Sequence, residues 1–252
     1  MDTINEKRMN FKSNIKINFN GGDLTSDSGG LIYKEFDNKL GFSKTIQDNI
    51  DINDGIEHRK HENEDVIMQR IYQNLLGYHS DNAANNLRDD TTLQTILEKE
   101  DLASQPTISR VNNAHSKENI EQYQNANFEL LDTIYEKETP EKITFDLDST
   151  NSDTYGQQYG SDYNSHYGSN GYHPLLMFDG ETGDAIKAEL RSGNVYTSRQ
   201  VVRFVGPVFK DFNQKYKDTE FYLRADSGFA KPGLYEINFS YSIRFLVMVS
   251  PE

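Results

Sequence analysis

Three aspartates stand where carboxylates can do chemistry. Asp146 and Asp148 lie two apart in Phe145-Asp146-Leu147-Asp148-Ser149-Thr150, and Asp226 lies in Arg224-Ala225-Asp226-Ser227-Gly228-Phe229. Alternation of Ile143, Phe145 and Leu147 with polar residues is the period of a strand with one buried face, so both acids project from the opposite face. Asp148 falls at the strand's end, Asp146 serves as an alternative ligand or a supporting partner, and Asp226 ends a second strand where Gly228 lets the chain turn. Oxygen ligands from separate elements converging at strand ends suit Mg²⁺, which keeps several waters and takes few carboxylates. Two such ions can activate the attacking oxygen and steady the leaving one in an in-line attack on a phosphodiester. Taken singly, an aspartate at such a place more often caps a turn. The chain has no cysteine, so a metal would need oxygen or imidazole ligands. His58 and His61 are three apart, but beside Arg59 and Lys60 they read as a solvated loop.

The elements that must position these acids follow from hydrophobic spacing. Helical stripes run through Leu31, Ile32, Phe36 and Leu40, through Val66, Ile67, Ile71 and Leu75, and through Ile120, Tyr123, Leu131, Ile134 and Tyr135. All are expected in a core. After Pro140 the texture changes to short apolar strands and glycine-bearing turns, which divides the chain into a mainly helical region, 1–140, and an α/β region, 141–252. The second region predicts a strand through 143–147, a hairpin of Leu175–Asp179 with Ala185–Leu190, and a helix from Val201 opened by a Thr197/Gln200 capping box and kinked at Gly206-Pro207. A strand at 220–225, a short helix near 234–238 and an apolar strand at 243–249 complete it. The order β-β-β-α-β-α-β is that of a ribonuclease H-like mixed sheet without its final helix. Residues 150–172, rich in Tyr, Gly, Asn and Ser, read as an irregular loop: Tyr155, Tyr159, Tyr163 and Tyr167 fold onto the domain or stack on unpaired bases.

Charge argues against broad affinity for nucleic acid. The 252 residues carry a net charge of -14; residues 1–140 hold 25 acids and 15 bases, residues 141–252 hold 15 and 11. A DNA surface must therefore be local. Arg199, Arg203, Lys210, Lys215 and Lys217 cluster in one segment, and Ser104–Arg110 resembles the start of a recognition helix whose Gln105, Thr107, Ser109 and Arg110 could meet DNA. No apolar run is long enough to cross a bilayer and no secretory leader opens the chain.

Several linked motifs, in order, carry a resemblance. They are Ser26-Asp27-Ser28-Gly29-Gly30-Leu31, Gly77-Tyr78 with Asp81-Asn82-Ala83, Leu87-Arg88-Asp89-Asp90, Leu102 to Arg110, Phe145 to Thr150, Gly171-Tyr172-His173-Pro174-Leu175-Leu176, Leu190-Arg191-Ser192-Gly193-Asn194 and Leu223 to Phe229. Together they resemble the insertion-sequence 1380 group of DDE transposases over nearly the whole chain. The resemblance implies a Mg²⁺-dependent bacterial enzyme of the cytoplasm and nucleoid. It would bind its element's terminal inverted repeats, cleave there and join the ends to target DNA, assembling as a homo-oligomer on DNA. By position, Asp148 and Asp226 match the first two family carboxylates, and Arg110, Thr107, Arg191, Arg199 and Lys210 are the expected DNA contacts. The third family acid is a Glu on a helix after the last core strand, whereas this sequence ends at Ser250-Pro251-Glu252. The expectation is thus a C-terminally truncated chain, inactive alone. The alternative is a DNA-end-binding or oligomerising regulator without catalysis; a nuclease of the same fold is a third reading.

Overall fold

The computed structural model describes residues 7–12, 14–17 and 25–248. Ser250, Pro251 and Glu252 lie outside them. The chain forms two compact units, Met1–Thr133 and Ile134–Glu252.

In the first unit a two-stranded ribbon, β1 (Lys7–Arg8) and β2 (Lys16–Ile17), precedes helices α1 (Gly29–Leu40), α2 (Phe42–Asn49), α3 (Asn63–Leu75), α4 (Ala83–Leu87), α5 (Thr91–Leu97) and α6 (Gln105–Ala114). The long helix α7 (Lys117–Tyr135) leads into the second unit. Val66, Ile67, Leu93, Ile96, Leu102, Ile108 and Val111 share one core. The stripe expected on α1 is corrected: Ile32 and Phe36 are exposed, while Glu35 and Asp37 are buried. Hydrogen bonds explain the inversion. The Glu35 carboxylate accepts the Asn10 and Phe11 amides, and that of Asp37 accepts the Ser43 amide and the Tyr72 hydroxyl. Buried carboxylates satisfied in this way outweigh the local hydrophobic period. Ile120 and Leu75 are likewise exposed.

The second unit is built on a five-stranded mixed sheet. Its strands are β3 (Lys142–Ser149), β7 (Leu175–Asp179), β8 (Ala185–Glu189), β9 (Glu220–Asp226) and β10 (Arg244–Met248), in the order β10-β9-β3-β7-β8. The first three form an antiparallel meander, and β9 and β10 lie parallel to β3 beyond it. Crossover helices α8 (Val201–Lys215) and α9 (Pro232–Ser240) make the parallel pairings. The α8 residues Val201, Phe204, Val205, Val208, Phe209 and Phe212 form one buried stripe. Phe145 of β3 stacks on Phe221 of β9, centroids 5.7 Å apart, and meets Phe209 and Phe212 across the layer. Emptying such an aromatic site costs about 3–5 kcal/mol.

One local expectation changes at α8. Gln200 adopts a left-handed conformation (φ 60°) as its N-cap and makes no capping bond, so there is no Thr197/Gln200 box. The Thr197 carbonyl is instead taken by Arg191. The helix runs unbroken through Pro207, and a Cβ on Gly206 would sit 3.1 Å from Ile237 of α9, so this glycine serves close helix packing. The tyrosine-rich segment is an irregular loop only in part, and Tyr155, Tyr159 and Tyr167 lie in its bends and turns. It forms a small antiparallel sheet, β4 (Ser152–Asp153), β5 (Asp162–Asn164) and β6 (Ser169–Tyr172), in the order β4-β6-β5. Tyr155 and Tyr159 stand wholly in solvent and Tyr163 partly so, whereas Tyr167 folds onto the domain against His173.

Candidate active site

The register between β3 and β9 brings the acids together. Asp146 lies opposite Arg224 and Leu147 opposite Ala225, the last pair of the register, and Asp148 and Asp226 each follow that pair directly at the ends of two adjacent parallel strands. Ile143, Phe145, Leu147, Phe221, Leu223 and Ala225 are buried, which turns Asp146, Asp148, Arg224 and Asp226 to the other face.

Along this face, paired charges give way to like charges. Arg224 grips both carboxylate oxygens of Asp146 through its Nε and Nη2, and that contact raises the guanidinium's pKa. Gly180 leaves room for this fork, since a Cβ there would lie 2.6 Å from Asp146 Oδ2 and 2.8 Å from Arg224 Nη2. Both oxygens of Asp146, expected as alternative ligand or supporting partner, are engaged by Arg224. Directly after the last pair, an acid follows on each strand. Like charges at neighbouring strand ends repel, so this position favours a cation.

Each carboxylate of the pair is oriented by its own backbone. Asp148 Oδ1 accepts the Ser149 amide at 2.7 Å, and Asp226 Oδ1 accepts the Gly228 amide at 2.8 Å, capping a 3₁₀ turn at Ser227–Phe229. Among the described residues, the second oxygen of each has no hydrogen-bond donor. Both face a cleft of about 510 Å³ whose other walls include Asn164, Tyr167, His173, Asn194 and Thr197. The donor set fits Mg²⁺: two hard oxygens and an open, water-accessible cleft leave the rest of an octahedral shell to water and substrate oxygens. No group of three or more acidic, His or Cys side chains arranged to hold a metal occurs among the described residues. His58 and His61 precede α3 in a loop and join no such group.

His173 is the residue that pattern reading overlooked. It is buried in the cleft wall, with Nδ1 2.7 Å from the Val195 carbonyl. Its place in the Gly171-Tyr172-His173-Pro174 motif was the available signal.

Arg191, expected at DNA, is only 6% exposed. Its Nε donates to the His173 carbonyl and its Nη1 to the carbonyls of Thr197 and Arg199, so it ties the cleft's far wall together. That is a correction: a guanidinium shut away from solvent cannot meet a phosphate. Arg199 is exposed two residues beyond Thr197, whereas Lys210 is exposed well along α8, roughly 14 Å of helix past Val201. The basic cluster seen in sequence is thus strung out along a helix. Arg203 pairs with Glu189 and Lys215 with Asp211, while Lys217 Nζ donates to the Asn213 carbonyl. In the first unit, Arg110 of α6 forms an ion pair with the buried carboxylate of Asp54, which also holds Arg59. Its charge is engaged within the fold, and Thr107 sits half-buried with its hydroxyl 3.3 Å from that of Ser104. Among the described residues no helix is long and apolar enough to cross a membrane.

A mixed α/β unit that presents paired carboxylates at adjoining parallel strand ends is a domain equipped for divalent-cation chemistry. The chain matches the family described as transposase DDE domain group 1 over residues 7–251, and it belongs to that family. Among solved structures it is similar to the catalytic domain of Mos1 mariner transposase, at 10% identity over 54% of this chain and 63% of that one, with a TM-score of 0.33. It is also similar to piggyBac transposase in a synaptic complex with hairpin DNA, at 14% identity over 88% of this chain and 51% of that one, TM-score 0.37. A third likeness is to Mos1 transposase in a paired-end complex with the left transposon end, at 15% identity over 92% and 70% of the two chains, TM-score 0.29. The chain thus spans 63% and 51% of the first two of these proteins. No curated protein matches it.

Proposed function

We propose that the second unit is a ribonuclease H-like catalytic domain of an insertion-sequence transposase of the 1380 group, in which Asp148 and Asp226 hold Mg²⁺ for DNA strand cleavage and transfer. The observation that carries this reading is that Asp148 and Asp226, each one residue past the last β3–β9 pair, line one cleft at the ends of those adjacent strands. Mg²⁺ bound there supplies Lewis-acid activation of the attacking oxygen and charge stabilisation at the leaving oxygen. The chain's own residues do the positioning. Ser149 and Gly228 amides fix one oxygen of each carboxylate and leave the other toward the cleft. Arg224 holds Asp146 out of the ligand set and keeps one cation beside three acids. The substrate in this reading is DNA carrying terminal inverted repeats, joined to a target, with the chain acting as an oligomer on those ends. We place residues 1–140 in the role of a helical region that contributes to DNA recognition, with Thr107 on α6.

Electron paramagnetic resonance of Mn²⁺ titrated into the protein tests the site. Wild type should take up Mn²⁺ that Mg²⁺ competes away, while Asp148→Asn and Asp226→Asn should each bind at least tenfold more weakly. Equal uptake by all three proteins, or none by wild type, would overturn the assignment.

A further inference from the structure

The small sheet β4-β6-β5 has no role in the reading above, yet it is built to display rings. Tyr155 and Tyr159 are 93% and 101% exposed, Tyr163 is about half exposed, and Tyr167 sets its ring edge-on to His173 in the cleft wall. Three of these tyrosines are each followed by a glycine in the left-handed region: Gly156 (φ 75°), Gly160 (φ 78°) and Gly168 (φ 70°). A left-handed glycine turns the chain immediately after the ring, which leaves the side chain outside the turn. Two of these rings, those of Tyr155 and Tyr159, are the most exposed large hydrophobic side chains among the described residues.

The platform is held firmly. Gly193 N donates to the Gly171 carbonyl at 3.0 Å, Tyr172 bridges to Ser192, and the Tyr172 hydroxyl donates to the Tyr159 carbonyl at 2.7 Å. A Cβ on Gly193 would stand 2.3 Å from the Asp162 carbonyl oxygen, and one on Gly171 would stand 2.2 Å from that of Ser152. The strands therefore pass each other at backbone contact, and the rings project from a fixed base. The platform also adjoins the cleft: Asn164 to Tyr167 form a cleft wall facing Asp148 and Asp226.

Continuity with the cleft points to the occupant. Residues 150–172 contain no lysine or arginine and two aspartates, so a phosphate backbone gains nothing from lying on this surface. Bases offer uncharged π-faces, and stacking on aromatic rings is tolerant of sequence. We propose that the tyrosine sheet stacks unpaired bases of a DNA strand leaving the Asp148–Asp226 cleft. This supplies affinity that a chain of net charge -14 does not obtain from phosphates. The proposal rests on the DNA-processing reading of the cleft, and the following experiment separates the two.

Fluorescence anisotropy with a labelled single-stranded oligonucleotide, in EDTA, compares wild type with Tyr155→Ala/Tyr159→Ala and Tyr155→Phe/Tyr159→Phe. Wild type should bind the single strand in preference to blunt duplex. The alanine pair should lose about fivefold or more per ring, and the phenylalanine pair should stay within about twofold of wild type because the ring is retained. Both rings are in solvent, so thermal unfolding should be unchanged. Absence of single-strand binding, equal binding by the alanine pair, or rings that instead govern self-association measured by light scattering would each overturn the proposal. Tyrosine-dependent binding by a protein that takes up no Mn²⁺ would leave the platform standing and remove the metal site.

Discussion

Replacing Asp226 with Asn separates the electrostatics of the acid pair from its hydrogen bonding. The amide oxygen can still accept the Gly228 N–H that Asp226 Oδ1 now takes at 2.8 Å, so the turn is retained. What changes is charge. For a separation on the order of 5 Å, taken as a round figure for side chains ending adjacent strands, two carboxylates repel by about 0.8 kcal/mol in water and about 3 kcal/mol at an effective dielectric of 20. Both are exposed at strand ends, so the lower figure applies, ~1 kcal/mol. Relief of that repulsion offsets the weaker neutral hydrogen bond, and in EDTA the variant should unfold within a few degrees of wild type. Metal then discriminates. At ten times its Kd a bound ion stabilises by about 1.4 kcal/mol, and a tenfold weaker site at the same concentration gains about 0.4 kcal/mol. For a chain of this size that is a rise of roughly 3–6 °C in Tm for wild type against about 1 °C for Asp226→Asn. Differential scanning calorimetry with Mg²⁺ or Mn²⁺ reads the difference. An undiminished rise in Asp226→Asn, or a variant much less stable than wild type in EDTA, would refute the argument.

Three further outcomes are expected. Arg191→Ala should cost about 3 kcal/mol in chemical denaturation, because three carbonyl contacts of a buried guanidinium vanish; Arg191→Lys should not restore it, and a loss of DNA affinity without loss of stability would contradict the burial. Gly193→Ala should destabilise by about 1–3 kcal/mol and speed proteolytic nicking in the small sheet, since its Cβ would meet the Asp162 and Gly171 carbonyl oxygens at 2.3 and 2.7 Å. The Tyr123 hydroxyl is 2.9 Å from His115 Nε2, and burial pushes its pKa up from 10 to about 12. The folded state therefore favours the neutral phenol, so its stabilising contribution is whole below pH 10 and is lost as pH rises toward 12. Denaturant midpoints at pH 9, 10 and 11 should fall more steeply for wild type than for Tyr123→Phe.

Local periodicity carried the second unit's strands. Ile143, Phe145 and Leu147 alternate in the sequence and are buried in β3, and the valines and phenylalanines of α8 keep helical spacing and form its buried stripe. A period is a property of neighbouring residues, so it is legible without the rest of the chain. The same reasoning failed on α1, where satisfied carboxylates outweigh Ile32 and Phe36, and in part on residues 150–172, where composition suggested a loop and backbone pairing made a small sheet.

The sequence by itself determined where carboxylates, glycine turns and apolar stripes occur, because residue type and spacing fix those. Only the tertiary structure decided which charges are engaged. Asp146 and Arg224 are 78 residues apart and meet because β3 and β9 pair in one particular register. That register brings Asp148 and Asp226 to adjacent strand ends, and packing of the far cleft wall turns Arg191 from a surface cation into a buried brace. A polar group's role depends on what desolvates it and what satisfies it, and both come from segments distant in the chain.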